Sequence, residues 1–162
     1  MKFHFPHALL AAVCLFGQST QAAEYLPHTE RTQGRTYSPA VITEGGKTIW
    51  LAGETTTTDL QGNDIRGNAE AQARTIFALI DQTLQRAGGG LKDVVAMTVF
   101  LTDARNGPAF QKVRSEMFAK GRFPASSQIT VSALAVPGML LEIQATAVIG
   151  DKAGAAGSTA PR

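Results

Sequence analysis

The stretch Val94-Val95-Ala96-Met97-Thr98-Val99-Phe100-Leu101 contains one hydroxyl and no charge. Its β-branched and aromatic residues favour an extended chain, so it reads as a strand. Alternate side chains of a strand point to opposite faces, and here both sets are apolar. A strand apolar on both sides expects cover on both sides. The fold therefore needs packing elements above and below this segment.

On its N-terminal side, Asn68 to Ala87 reads as a helix: Ala73, Ile76, Phe77, Ile80, Leu84 and Ala87 keep the spacing of one helical face. Asn68 can cap its start, and Gly88-Gly89-Gly90 stops it. That glycine triplet follows a helix and lacks the Lys-Ser/Thr of a phosphate loop, so it is read as a C-terminal cap. On the C-terminal side, Asn106-Gly107-Pro108 opens a second helix that runs to about Phe118. Strands are expected at Ser127 to Leu134 and Leu140 to Ile149. Upstream, Tyr37 to Thr43 and Lys47 to Ala52 are short β-type runs separated by Glu44-Gly45-Gly46, a hairpin signal. The order is ββαβαββ, an α+β fold with two helices on one face of the sheet. No element of the chain remains to cover the second face, so other copies of the protein are expected to do so in a homo-oligomer.

The ends read differently. Lys2, the apolar run Ala8 to Phe16 and the small-x-Ala pattern Thr20-Gln21-Ala22 predict a signal peptide over residues 1–22, and hence a periplasmic or secreted protein. The apolar run is far short of the roughly 20 residues a membrane span needs, so no stable membrane insertion is expected after cleavage. Val13 stands before Cys14 where lipidation requires a small residue, and an unlipidated product is expected. Residues 23–35 form a lead segment, 36–149 the single domain, and the small-residue stretch 150–162 a disordered tail.

The full chain of 162 residues carries 15 Lys+Arg against 13 Asp+Glu, a net charge of +2. Removing Lys2 with the signal leaves about +1, too little for a basic face of the kind that tracks phosphates, and nucleic acid is not expected as a partner. His4, His7 and Cys14 leave as well, so the mature chain has one histidine and no cysteine. That excludes a disulfide, a thiol nucleophile and a Cys/His metal site. A Ser/His/Asp triad could use only His28, read beside Pro27 as a solvated loop residue. No metal and no cofactor are expected.

One polar residue stands out. Glu142 shares a strand face with Leu140, Gln144, Thr146 and Val148, and is the only carboxylate in that strand. Burying a lone charge at a subunit interface is costly unless it is paired, hydrogen-bonded or protonated. Glu142 is therefore either a structural carboxylate satisfied by a neighbour or a general acid/base in an intersubunit cleft.

The stretch FPASSQITVSALAVPGMLLEIQATAV, from Phe123 to Val148, strongly resembles the C-terminal signature of the Rid proteins, the RidA/YjgF family, in which Pro-Ala-Arg opens one strand and a Glu follows in the next. The resemblance continues through YSPAVITEGGKTIWLAGE, AEAQARTIFALIDQTLQRAGGGLKDVVAMTVFLTD and the helix around FQKVRSEMF, and covers about Tyr37 to Ile149. It implies a chorismate-mutase-like fold and a homotrimer with three intersubunit clefts. It also implies, in active members, hydrolysis of imines or enamines of 2-amino acids to 2-keto acids and ammonia without metal or organic cofactor. Glu142 matches the signature Glu, Pro124 and Ala125 the residues before the substrate-clamping Arg, Gly53 the cleft glycine followed here by Glu54, and Tyr37 an aromatic of the cleft.

The chain departs from that pattern at three places: Ser126 replaces the clamp arginine, Gln128 the usual cysteine, and Ala52 the serine before Gly53. Serine cannot form a charge-assisted fork with a carboxylate, and losing one typically costs about 1.5 to 3 kcal/mol. Arg114 on the second helix stands where relatives carry an Asn near the same cleft. It is either a substitute anion anchor or part of a solvated helix face with Lys112 and Glu116. Two functions follow: an exported imine/enamine hydrolase with Glu142 as acid/base, or a non-catalytic trimeric small-ligand binder that keeps the cleft. RNA cleavage and a chaperone-like role, attributed to relatives, rank third because the charge offers no RNA track.

Overall fold

A computed structural model describes residues 23–151. Two strands, β1 (Glu24–Tyr25) and β2 (Val41–Ile42), pair as a small antiparallel sheet. The main sheet has the order β3-β6-β4-β5, from β3 (Lys47–Trp50), β4 (Val94–Leu101), β5 (Ala125–Thr130) and β6 (Leu141–Ile149). Helices α1 (Ala69–Arg86) and α2 (Gly107–Met117) lie together on one face.

Both helices follow from the sequence signals. The Asn68 side chain accepts the Ala71 N–H and Ala87 is the C-cap of α1, while Pro108 sits in the first turn of α2 where its missing N–H costs nothing. The inner face of the sheet buries Val94, Met97, Val99 and Leu101 of β4 beside Leu141, Ile143, Ala145 and Ala147 of β6. Against them pack Ile76, Phe77 and Ile80 of α1 and Phe110 and Val113 of α2. Phe77 stacks on Phe110 and meets Phe118 edge-on, with centroids 6.1 Å and 5.6 Å away.

The expected hairpin is corrected. β2 pairs with β1, and β3 pairs with β6 in register Thr48↔Val148 and Trp50↔Thr146. Gly45 and Gly46 both have positive φ, and a Cβ on Gly46 would lie 2.9 Å from the Ile149 carbonyl. Their turn carries the chain from one sheet to the other, because nine-residue β6 offers β3 a longer partner than two-residue β2.

The lead segment is also more structured than its composition suggests. Ala23, Tyr25 and Val41 pack on Val95 and Val148, so the small sheet covers one end of the outer face. At the other terminus buried Asp151 accepts the Glu44 N–H at 3.1 and 3.0 Å. The disordered tail expected over 150–162 is thus corrected at its start, where Asp151 is buried and bonded; residues 152–162 and the expected signal peptide 1–22 lie outside the described residues. The C-terminal strands are shorter than expected at their facing ends: β5 closes at Thr130 and β6 opens at Leu141.

The loop between them is held by one side chain. Fully buried Gln72 donates to the carbonyls of Gly138 (2.8 Å) and Ile65 (3.2 Å) and accepts the Leu140 N–H (2.8 Å). Gln72→Leu keeps the volume but strands the Gly138 carbonyl and the Leu140 N–H, each worth about 1 to 3 kcal/mol when buried unpaired, while the Ile65 carbonyl keeps the Asn68 N–H. Partial hydration of the loosened loop reduces the sum to about 3 kcal/mol, a fall in Tm of roughly 10 °C in circular-dichroism melts.

Candidate functional site

Strand register sorts the sheet into two faces. Met97, Val99 and Leu101 point to the helices, and Ser126, Gln128 and Thr130 of β5 are their neighbours on that side. The outer face carries Thr98 and Phe100 of β4, Ser127 and Ile129 of β5, and Glu142, Gln144 and Thr146 of β6. Trp50 joins them at 82% exposure. Glu142 is the one charged residue of the four strands on this face. Beside it an open groove of about 470 Å³ is lined by Tyr37, Trp50, Thr98, Ser127, Gln144 and Thr146, among others.

Gly53 is placed against Glu142 by an irregularity. Between the pairs Trp50↔Thr146 and Glu54↔Ile143 the chain after β3 carries one more residue than β6, a bulge that bends the backbone inward. A Cβ on Gly53 would overlap Oε1 of Glu142 and lie 2.9 Å from its Cδ. Its φ is not positive, so what the glycine supplies here is room for the carboxylate in its present position. Glu54 exchanges backbone hydrogen bonds with Ile143 at 2.9 and 3.0 Å, which puts it on the Ile143 side of the strand. Partial burial raises the Glu54 carboxyl above the ordinary range. Among the described residues the Glu142 carboxylate has no hydrogen-bond or ion-pair partner.

A second group gathers at the edge of β5. Lys112 and Glu116 are exposed and engage Glu70 and Arg74 of α1, at 2.9 and 2.6 Å. Arg114 lies between them in sequence and turns the other way, leaving 4% exposed. Its guanidinium donates to Ser126 Oγ at 2.8 Å and to Thr36 Oγ1 at 3.1 and 2.7 Å, and lies 4.8 Å from the Phe110 ring centroid. Burial lowers its pKa to about 10, so it stays protonated at neutral pH. The solvated-helix-face reading of Arg114 is thereby overturned. Tyr37, Gln111, Ser126 and Gln128 line the pocket of about 330 Å³ into which this group opens. Gln128 also closes over the start of α2, where a Cβ on Gly107 would stand 2.7 Å from its side-chain nitrogen.

The sequence model of the family described as Endoribonuclease L-PSP matches residues 30–149. The chain belongs to this family, the Rid (RidA/YjgF) proteins. Among Rid relatives, a RutC family protein of Pyrococcus horikoshii is 31% identical over 68% of this chain and 85% of its own. The 3-aminoacrylate deaminase RutC of Acinetobacter baylyi is 38% identical over 54% of this chain and 69% of its own. The solved Rid protein YyfB of Yersinia pestis superposes with a TM-score of 0.69 at 25% identity, covering 79% of this chain and 99% of that one. A YjgF-family structure from Mycobacterium tuberculosis gives 0.56 at 32% identity, covering 75% and 93%.

In this Rid protein the sequence-derived site residues fall into two sets. Tyr37, Arg114, Ser126 and Gln128 share one pocket. Gly53 and Glu142 meet on the outer face, with Glu54 next in the chain but on the opposite side of β6. Within one protomer the sets stay apart, since Ser126 and Glu142 sit on opposite faces with β4 between their strands. Sequence reasoning missed Thr36, whose hydroxyl receives two of the guanidinium bonds; nothing in its local pattern signals a role. His28 is half-buried, its ring 6.4 Å from that of Tyr37, and its Nδ1 has no hydrogen-bond partner. Among the described residues no three His, Cys, Asp or Glu side chains converge in a metal-binding cluster.

Proposed function

We propose that the protein is an exported hydrolase of a small reactive imine or enamine, working as a homotrimer with Glu142 as general acid/base. The observation that carries this reading is the Glu142 carboxylate held against Gly53 on an otherwise uncharged sheet face. A carboxylate without a protein partner in such a place is poised to move protons. The relative from Acinetobacter baylyi supports the reaction class, because 3-aminoacrylate is an enamine that carries a carboxylate.

The chemistry needs little. Glu142 removes a proton from a water molecule as its oxygen bonds to the C=N carbon, and the π pair moves to nitrogen, which takes up that proton. The resulting carbinolamine loses its hydroxyl proton and protonates its amine. The C–N bond then breaks, giving a carbonyl and ammonia. An enamine enters the same path after protonation at carbon. The trimer supplies the geometry: a neighbour seated on the outer face covers Trp50, Phe100 and Ile129 and joins its own Arg114 pocket to this Glu142.

A second reading, a non-catalytic trimeric binder, is favoured by Ser126 at the position of the family's clamp arginine. The two are separated by generating 2-iminopropionate and 2-iminobutyrate in situ with an amino-acid oxidase and following their decay. The hydrolase shortens imine lifetime in proportion to protein concentration; the binder does not. Light scattering of the same sample should give three times the chain mass, and a stable monomer would overturn the intersubunit site.

A further inference from the structure

The buried guanidinium on α2 has no anion of its own. Among the described residues Arg114 makes no ion pair, and none of the eight residues lining its pocket is acidic. A buried cation without a counter-charge costs several kcal/mol, and the contact with the Phe110 ring offsets only part of that. Folding has placed here a charge that an incoming anion would satisfy.

The hydrogen-bond inventory defines that anion. A guanidinium has five N–H donors. Three are used: Nε and Nη2 on Thr36 Oγ1, and Nη1 on Ser126 Oγ. Two remain, one on each terminal nitrogen. Thr36 and Ser126 act in these bonds as acceptors, so each keeps its own O–H proton to donate. Four donors of this group are therefore without an acceptor among the described residues. A carboxylate presents two oxygens with about four lone-pair sites in one plane, the complement of this set. Exposed Arg35, which also lines the pocket, adds positive charge that draws an anion in.

We propose that Arg114, Thr36 and Ser126 form a clamp for the carboxylate of a small ligand, in which the cation comes from helix α2 and strand β5 supplies a hydroxyl. The inference deepens the hydrolase reading by naming the group that orients the substrate. It concerns binding alone, and so survives or fails separately. The positions have exchanged roles: the strand residue that would carry the guanidinium is a serine, and the helix residue beside it is the arginine.

The test follows the side-chain 15Nε–1Hε signal of Arg114 in the unmodified protein during titration with pyruvate and with pyruvamide, its neutral amide. The clamp predicts a saturable shift with pyruvate that pyruvamide at equal concentration does not produce. Arg114→Gln should weaken pyruvate binding more than tenfold, and the double exchange Arg114→Asn with Ser126→Arg should restore most of it. Equal shifts with both compounds, no shift with either, or undiminished pyruvate binding by folded Arg114→Gln would overturn the clamp. Imine turnover with a KM indifferent to Arg114→Gln refutes the clamp and leaves the hydrolase standing. Pyruvate binding that depends on Arg114, in a protein with no turnover, does the reverse.

Discussion

Glu142→Gln is expected to lower kcat for imine hydrolysis about a thousandfold, with a much smaller change in KM. General acid–base groups contribute about 10² to 10⁴ in rate, and glutamine keeps the shape of glutamate while losing its ability to take a proton. The side chain touches Gly53 and makes no hydrogen bond or ion pair among the described residues, so Tm should stay within about 2 °C of wild type, as for a surface substitution. Steady-state kinetics and thermal melts on the same preparation decide the question the sequence left open. A structural carboxylate satisfied by a neighbouring subunit gives the opposite pattern: a weakened trimer, a lower Tm and activity that falls only as far as the assembly does.

Gly53→Ala is expected to reduce kcat about a hundredfold while leaving the fold intact. The added methyl would overlap the Glu142 carboxylate oxygen, and the two groups cannot share that space. Gly53 is exposed and the atom in its way is the far end of a side chain, so the conflict is relieved by swinging the carboxylate aside, with no backbone shift. A misplacement near 1 Å costs about 10²-fold in a catalytic step. Glu142 has thus been moved, not removed, and Gly53→Ala combined with Glu142→Gln should be no slower than Glu142→Gln alone. Additive losses in the double variant would mean that Gly53 acts on the reaction by some route other than Glu142.

Much of the fold was legible because its signals are local. The helical spacing from Ala73 to Leu84 sits between Asn68 and the glycine triplet, and the helix begins and ends within a residue of that reading. The strand Val94–Leu101 is apolar on both sides: Met97, Val99 and Leu101 are buried beneath the helices, while on the other side only Val95 is buried, beneath the small sheet, and Ala96, Thr98 and Phe100 stay half-buried. The hairpin misled because a Gly-Gly turn between two β-type runs fixes where the chain reverses, not which strand it pairs with afterwards. Long-range pairing with β6 decided that, at a separation no local pattern reports. The two-residue strand at Glu24 was illegible for a related reason: it is too short for a periodicity.

The candidate site divides along the same line. Glu142 as the single carboxylate of its strand can be read directly from the chain, whereas Ser126 and Arg114 stand out only against the family pattern the chain resembles. Sequence alone determined the fold class and the family. Tertiary structure decided that Arg114 turns inward while Lys112 and Glu116, two residues to either side, stay in solvent. It also decided that Thr36, far away in sequence, accepts two of the guanidinium's three hydrogen bonds. Residue type specifies what a side chain can donate or accept. Which side of a helix is buried, and what it meets there, is set by packing against elements distant in the chain, and only the folded molecule fixes that.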